Sequence, residues 1–314
     1  VGVYFLLDLG IPQIPILLRH QISATSEKYG GYCAAIAVNI LGDRADDVEL
    51  TLLLDNGIDL HNYQPTADDI IKIARSDLFI YVGGESDAWV NDLLETSQNS
   101  HVKALSMLAC VDAREEESVE GMQEEAHECG HAHHEAEYDE HVWLSLKNAQ
   151  TLCSAISAVL QQIDPDNKDT YAANASAYIK KLSALDADYQ AAVDAATRKT
   201  VLFGDRFPFR YLAEDYGLRY YAAFAGCSAE SEASFETISF LAGKVDELNL
   251  PCVLTIEGVQ HKIAETIVRN TAAKNQKVLT MDSMQSTTSK DAANGTTYLS
   301  VMERNLSVLK EALG

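Results

Sequence analysis

Paired cysteines, basic residues and long apolar segments are all scarce in this 314-residue chain. The six cysteines are scattered and form no Cys-x-x-Cys pair, which argues against thiolate zinc knuckles and thioredoxin-type redox chemistry. The sequence leaves open whether Cys227 and Cys252 pair in an oxidising compartment. Lys and Arg number 24 against 47 Asp and Glu, so the net charge is −23. This balance argues against nucleic acid and anionic membranes as main partners, and it suits the attraction of cations.

The most apolar stretch, Val3–Leu18, is interrupted by Asp8, Gly10 and two prolines. It is too short and too broken for a membrane-spanning helix, and it lacks the basic residues that open a signal peptide. We assign it no structure from the sequence. No other segment approaches the length of a transmembrane helix.

Strand patterns alternate with helix patterns along most of the chain, which favours parallel sheets in an α/β fold. Between Lys168 and Ala196 there is no Gly or Pro, and apolar residues recur at helical spacing. This predicts one helix about 43 Å long at ~1.5 Å per residue. We therefore predict an N-terminal α/β lobe over residues 24–166, a linking helix over 167–197 and a C-terminal α/β lobe over 198–314.

Five of the nine histidines lie within fifteen residues, His127–His141, in the tract H-E-C-G-H-A-H-H-E-A-E-Y-D-E-H. Imidazole is the commonest metal ligand, and its concentration among carboxylates indicates the handling of a transition metal. The wider segment 115–140 is polar, acidic and His-rich, which predicts a mobile surface loop.

Two histidines have sequence neighbours that favour an ordered metal ligand. His61 lies between a predicted strand and a predicted helix, where open α/β sheets bind ligands. His141 is followed by Val142-Trp143-Leu144, apolar neighbours that indicate ordered surroundings in which hydrogen bonds can orient an imidazole for metal binding.

Carboxylates follow three later strands. Asp205 follows the predicted strand Thr200–Phe203, and Asp282 follows Val278–Met281. Each could instead cap the next helix, and Glu257 fits a supporting or capping role better than a ligand role. His61, His141, Asp205 and Asp282 together form a candidate tetrahedral site for Zn²⁺ or Mn²⁺.

A competing enzymatic reading comes from His127-Glu128-Cys129-Gly130-His131, which matches the zinc-protease pattern H-E-x-x-H. That chemistry requires both histidines on one face of a stable helix. Gly130 and the acidic flanks argue against such a helix, so we predict that the chain is not an enzyme.

Several motifs resemble the zinc and manganese substrate-binding proteins of bacterial ABC importers. These motifs are G-I-D-L-H-N-Y-Q-P-T-A-D-D-I, D-E-H-V-W-L-S-L-K-N-A, the long helix, Y-L-A-E-D-Y-G-L and L-T-M-D-S-M, and the resemblance covers roughly residues 40–314. It implies two α/β lobes joined by one long rigid helix, with the metal in the cleft.

The resemblance also implies roles for single residues. His61 and His141 match the first two metal ligands, and Asp282 matches the acidic ligand of the C-terminal lobe. The third ligand departs from the family pattern, because G-D-R-F-P-F-R-Y stands where H-D-A-F-x-Y is usual; Asp205 is the best match. The segment 115–140 matches the His-rich loop of zinc-specific members, a low-affinity collector or sensor.

We therefore predict an extracytoplasmic, monomeric zinc-binding protein, lipid-anchored or periplasmic, that delivers metal to the membrane permease of an ABC importer. The alternatives are a manganese or iron carrier of the same fold, a zinc hydrolase using the H-E-C-G-H motif, and an additional role as a surface adhesin.

Overall fold

The computed structural model describes residues 5–8, 32–53, 63–96, 102–123, 137–228, 232–258, 261–288, 290–291 and 294–314. The strands described are β1 (Phe5–Asp8), β2 (Glu49–Leu52), β3 (Leu78–Tyr81), β4 (Lys103–Ser106), β5 (Thr200–Phe207), β6 (Arg219–Ala225), β7 (Cys252–Thr255) and β8 (Lys277–Thr280). The main helices described are α1 (Tyr32–Leu41), α2 (Ala67–Arg75), α3 (Ala88–Thr96), α4 (Leu146–Ile163), α5 (Lys168–Ala195), α6 (Arg210–Tyr216), α7 (Phe235–Glu247), α8 (Lys262–Asn270) and α9 (Tyr298–Leu313). The predicted α/β alternation and the fold class with two α/β lobes are confirmed.

The first sheet has the strand order β2-β1-β3-β4. Strand β1 runs antiparallel to both of its neighbours, and β3 pairs with β4 in parallel. From the sequence we assigned no structure to β1, because a four-residue strand inside a broken apolar stretch carries little periodic signal. Its partners in the sheet lie 41 to 75 positions further along the chain.

The second sheet has the order β6-β5-β7-β8, and all of its strand pairs are parallel. Helices α7 and α8 cover it with an apolar core, as expected for a parallel sheet built from β-α-β units. The buried residues of this core are Leu202, Ala223, Phe224, Leu241, Ala242, Val245, Leu250, Val253, Ala264 and Ile267. Because all carboxyl ends meet at one edge, the loops that follow β5, β7 and β8 are brought together there.

The predicted long helix is present as α5, which has 28 residues. Of the apolar positions that predicted it, Tyr171, Leu182, Tyr189 and Val193 are buried, whereas Ile179 is half-buried. The apolar face therefore points into protein along the length of the helix, as its spacing indicated.

Contacts divide the chain into two compact units. The first unit comprises residues 1–112, 148–183 and 284–300, and the second comprises 113–147, 184–283 and 301–314. The described residues between 113 and 147 thus group with the second sheet. The boundaries at 166 and 198 stay a prediction.

The acidic segment 115–140 is more ordered at its described ends than we predicted. Glu115 and Tyr138 form an antiparallel bridge, and Asp139 and Glu140 are 2% and 3% exposed. The tract histidines His127, His131, His133 and His134 lie outside the described residues, as does His61.

Two further observations concern the cysteines and the membrane. Cys227 and Cys252 are free thiols and do not form a disulfide in this structure. None of the described helices combines the length and the apolar character that crossing a lipid bilayer requires.

The start of α2 generates a stability prediction. Thr66 caps the helix by accepting from the Asp69 backbone N–H, and the Asp69 carboxylate accepts from the Thr66 backbone N–H. Replacing Thr66 with Ala should lower the free energy of unfolding by about 1 kcal/mol, because a helix N–H loses its partner. Chemical denaturation measures this, with Thr66→Ser as the control that retains a cap. Equal stability of Thr66→Ala and wild type would contradict the prediction.

The same cap should respond to acid. Burial raises the pKa of the Asp69 carboxyl, but hydrogen bonds from Thr66 and Tyr63 outweigh burial and lower this pKa below its usual value. A carboxyl with a lowered pKa stabilises the fold at neutral pH, and its contribution is lost as pH falls through that pKa. The stability difference between wild type and Thr66→Ala should therefore narrow in acid.

Candidate metal centre

The candidate site is built on the carboxyl edge of the second sheet, where open α/β sheets bind ligands. Asp282 lies two residues beyond the end of β8, as predicted. Asp205 does not follow its strand: β5 continues to Phe207, and Asp205 lies where the β5–β6 register shifts between Phe203 and Arg206. The predicted strand Thr200–Phe203 was too short because Gly204 and Asp205 interrupt its apolar pattern.

His141 is fully buried and tied to a neighbouring carboxylate. Its backbone N–H and its ring Nδ1 both lie within hydrogen-bond distance of Asp139 Oδ1, at 2.8 and 2.9 Å. A carboxylate accepts, so Nδ1 carries the proton and Nε2 carries the lone pair. This is the arrangement that orients metal-binding imidazoles and raises their basicity.

The segment that carries His141 is held by backbone hydrogen bonds. Asp139 N–H donates to the Arg114 carbonyl at 2.8 Å, and Glu116 N–H donates to the Glu137 carbonyl at 2.7 Å. The Tyr211 hydroxyl donates to the Asp139 carbonyl at 2.8 Å. These hydrogen bonds hold the loop that carries His141 in place.

Gly226 and Trp143 help to position the imidazole of His141. A Cβ atom on Gly226 would lie 3.1 Å from Cε1 of His141 and 2.9 Å from the Phe207 carbonyl oxygen, so the ring packs on the backbone just beyond β6. The Trp143 indole N–H donates to the Ser283 carbonyl at 3.0 Å, directly after Asp282. The hydrogen bond between Trp143 and Ser283 thus connects the segment of His141 with the segment of Asp282.

The surroundings of His141 are strongly acidic. Burial, followed by the nearby Asp139 charge, raises the pKa of the Glu116 carboxyl, although the Cys227 backbone N–H donates to it at 2.8 Å. Burial and the charges of Glu116, Asp139 and Glu140 raise the pKa of the Cys227 thiol well above its usual value. The thiol therefore stays protonated at neutral pH, and the cluster attracts cations through its carboxylates.

Asp282 is positioned through its backbone. Asn305 on α9 donates to the Asp282 carbonyl and accepts from its N–H, both at 2.8 Å. The carboxylate lies 3.7 Å from the Arg304 guanidinium, and the side chain is 30% exposed. An ion pair this long and exposed is weak.

Glu257 supports the Asp282 loop. Its two oxygens accept from the Ser283 backbone N–H at 2.6 Å and from the Ser283 hydroxyl at 2.8 Å. This agrees with the supporting role that the sequence favoured over a ligand role.

Asp205 is engaged at both oxygens. Oδ2 accepts from the Thr255 hydroxyl at 2.6 Å and from the Ile256 backbone N–H at 3.3 Å, and Oδ1 accepts from the Arg206 backbone N–H at 2.9 Å. The Thr255 hydroxyl is also 3.1 Å from Nδ1 of His261. His261 was not predicted from the sequence, although it lies between a strand and a helix, the same signal that singled out His61.

The structure brings three of the four predicted ligands into one unit at one sheet edge, namely His141, Asp205 and Asp282; His61 lies outside the described residues. Among the residues that are described, no three His, Cys, Asp or Glu side chains converge closely enough to hold a metal ion by themselves.

Two α/β units, with an oriented imidazole and carboxylates at the carboxyl edge of a parallel sheet, define a ligand-binding α/β protein whose donors suit a divalent cation. A family match narrows this class: residues 31–312 match the family described as zinc-uptake complex component A, periplasmic. The chain belongs to this family. The resemblance proposed from the sequence motifs is thereby confirmed.

Individual relatives agree with the family match. The chain is 33% identical over 270 residues to the zinc-binding lipoprotein AdcA of Streptococcus pneumoniae (strain TIGR4), covering 85% of this chain and 52% of AdcA. It therefore spans about half the length of that relative. It is 30% identical to the high-affinity zinc uptake system protein ZnuA of Bacillus subtilis (strain 168), covering 85% of this chain and 82% of ZnuA.

A solved structure confirms the fold. The Zn(II)-bound ZnuA-like domain of Streptococcus pneumoniae AdcA superposes with a TM-score of 0.69 at 29% identity, covering 88% of this chain and 94% of the domain.

The close packing under the site generates a prediction. A Cβ atom at Gly204 would lie 2.5 Å from Cα of Ala264 in α8, and backbone cannot move aside cheaply. Gly204→Ala should lower the free energy of unfolding by about 1–3 kcal/mol, as overpacking does. Thermal and chemical denaturation measure it.

The matched control is Gly243→Ala on α7, where an added Cβ meets nothing within 4 Å. Because Ala favours a helix interior over Gly, this variant should be as stable as wild type or up to about 1 kcal/mol more stable. Equal effects of the two substitutions would show that α8 does not pack tightly on β5.

Proposed function

We propose that this chain binds zinc outside the cytoplasm and delivers it to an ABC-type importer, without catalysing a reaction. The observation that carries the proposal is the buried Asp139–His141 pair, which leaves Nε2 of His141 as a metal ligand. The family match to a zinc-uptake component and the zinc-binding relatives support it.

The proposed ligands are His61, His141 and Asp282, with a fourth at the Asp205 position. His141 supplies a neutral imidazole nitrogen fixed by Asp139, and Asp282 supplies a carboxylate oxygen on a backbone held by Asn305. The buried carboxylates Asp139 and Glu140 add negative charge beside His141 and favour a dication over a neutral ligand.

Manganese is the second candidate, because a donor set with two carboxylates, Asp205 and Asp282, also suits Mn²⁺. Competition of the two metals for the purified protein discriminates between them. Zinc is favoured by the imidazole ligands and by the family, and the stability order of divalent metals runs in the same direction.

The remaining parts of the proposal concern the partner of the protein, its oligomeric state and its location. The partner is the membrane permease of the importer, and the chain acts as a monomer at the cell surface or in the periplasm. The description of the family as a periplasmic uptake component and the lipoprotein relative support this placement.

The ligand role of His141 is directly testable. His141→Ala should weaken zinc binding by more than about 100-fold. Losing a residue that only hydrogen-bonds to a metal ligand weakens binding by about 10–100-fold, and losing the ligand itself should weaken it further. Asp139→Asn should weaken zinc binding by about 10–100-fold, because the imidazole remains but is held less firmly in its orientation. Isothermal titration calorimetry measures both.

The matched control is Asp188→Asn, which removes one exposed carboxylate from α5 and should leave zinc affinity unchanged. Circular dichroism must show that every variant is folded. Wild-type zinc affinity in folded His141→Ala would overturn the ligand assignment.

The histidines of the acidic tract should behave differently. Replacing His127, His131, His133 and His134 with Ala should preserve one tight zinc site and remove weaker additional binding, because a collector acts before the ordered site. The stoichiometry from calorimetry and metal analysis after dialysis distinguish the tight zinc site from the weaker additional binding. Loss of the tight site in this variant would place a ligand within the tract.

A further inference from the structure

We propose that Tyr211 is a positioning residue for the metal site, because its hydroxyl ends the β-ladder that precedes His141 and thereby fixes the Asp139–His141 pair. The inference rests on the proposed function, in which His141 binds zinc. It is carried by two hydrogen bonds of the Tyr211 hydroxyl. They reach both sides of the stem, by which we mean residues 114–117 and 137–139.

The stem is a short antiparallel ladder. Glu115 and Tyr138 form its bridge, and the Asp139 backbone N–H donates to the Arg114 carbonyl at 2.8 Å. In an antiparallel ladder the two residues of a hydrogen-bonded pair exchange both of their N–H···O bonds. A regular ladder would therefore contain a second bond, from the Arg114 N–H to the Asp139 carbonyl.

Tyr211 takes the place of that second bond. The Arg114 N–H donates to the Tyr211 hydroxyl oxygen at 3.0 Å, and the same hydroxyl donates to the Asp139 carbonyl at 2.8 Å. One hydroxyl can accept and donate at once, so both backbone groups are satisfied although an oxygen atom lies between them. Burial raises the pKa of Tyr211 to about 12, so the hydroxyl keeps the proton that it donates. The ladder therefore ends at Asp139.

The end of the ladder allows the turn that orients His141. Oδ1 of Asp139 accepts from the His141 backbone N–H at 2.8 Å and lies 2.9 Å from its ring Nδ1. In a continuing strand the His141 N–H would lie in the plane of the sheet, whereas the Asp139 side chain would point out of that plane. The two residues can make both contacts only because the chain leaves the stem at Asp139.

Tyr211 is itself fixed by the second sheet. Strand β5 ends at Phe207, α6 begins at Arg210, and Tyr211 is the second residue of this helix and 5% exposed. Helix α6 also contacts the stem through an ion pair of 2.8 Å between Arg114 and Glu214, whose side chains are 42% and 41% exposed. Such exposed ion pairs contribute little. The buried hydroxyl is therefore the contact that sets the stem against the sheet.

Loss of the hydroxyl should loosen the imidazole. Tyr211→Phe keeps the ring and leaves the Arg114 N–H and the Asp139 carbonyl to bond to each other or to take up water. Either alternative shifts the Asp139 backbone and weakens its hydrogen bond to Nδ1 of His141. We expect a measurable population of the tautomer with the proton on Nε2. Zinc affinity should fall by about 10-fold, the lower end of the effect of outer partners.

The experiment uses the full chain, with zinc as the probe. Calorimetry gives the affinity, and ¹⁵N NMR of the zinc-free, histidine-labelled protein locates the ring proton of His141. The His141 signals are those that are absent from the spectrum of His141→Ala. A general loss of stability would not move the ring proton, so this measurement separates positioning from a purely structural role.

Hydrogen exchange provides a second measurement. The Arg114 amide should exchange slowly in the wild-type chain and faster in Tyr211→Phe, because its acceptor is removed. Exchange of this amide at the rate of an exposed amide in the wild type would overturn the inference without the need for any variant.

A double variant tests whether Tyr211 acts through Asp139. Residues of one hydrogen-bond network have non-additive effects. Tyr211→Phe combined with Asp139→Asn should therefore bind zinc about as tightly as Asp139→Asn alone. Fold-changes that multiply in the double variant would show that Tyr211 acts independently of Asp139, which would overturn the inference.

The matched control is Tyr189→Phe in the same compact unit. Tyr189 is also buried, and its hydroxyl donates to the Met302 carbonyl at 2.7 Å. This variant loses a hydrogen bond of the same kind, so it should lower the melting temperature and leave the His141 tautomer and the zinc affinity unchanged. Wild-type tautomer and wild-type affinity in folded Tyr211→Phe would overturn the inference.

The outcomes separate this inference from the proposed function. If the wild-type chain binds zinc, His141→Ala does not, and Tyr211→Phe behaves as wild type, the function stands and Tyr211 has no positioning role. If the wild-type chain binds no zinc, the proposed function fails, and the tautomer of the zinc-free variants still decides whether Tyr211 orients His141.

Discussion

The hydrogen bond between the Asp139 carboxylate and the His141 imidazole is the interaction on which the candidate site depends. A buried imidazole without a carboxylate partner could adopt either tautomer, and its ring could rotate away from a metal. The Asp139 bond selects the proton position, and the backbone bond from His141 to the same oxygen locks both residues into one turn. Burying Asp139 beside other carboxylates has an electrostatic cost, which the hydrogen bonds offset and a bound dication would offset further.

The parallel sheet of the second unit makes this arrangement possible. Because β5, β7 and β8 run in one direction, their loops deliver polar side chains to one edge, and the loop of His141 packs onto the same edge through Gly226 and Trp143. The Asp139 hydrogen bond then converts a loop histidine, His141, into an oriented nitrogen donor, which a cation carrier requires.

Local patterns predicted the regular elements well, since helices and buried strands are specified by residues that are neighbours in sequence. The burial pattern of α5 and the strand preceding Asp282 both follow from such local signals. Strand β1 was missed because its partners are distant in the chain. The order of residues 137–140 was missed because it comes from contacts with Arg114, Glu116 and Tyr211, which no periodicity records.

The sequence by itself determined the class of chemistry: a net charge of −23, histidines set among carboxylates, and motifs specific enough to identify the family. It also singled out His141 and Asp282 as candidate ligands, because both lie at predicted element ends. Only the tertiary structure decided which carboxylates are engaged in hydrogen bonds with the protein. Asp205 and His261 are 56 positions apart in sequence, yet Thr255 joins them by hydrogen bonds of 2.6 and 3.1 Å. Hydrogen bonding depends on distances of a few ångströms in space, and spacing along the chain does not fix those distances until the sheet has formed.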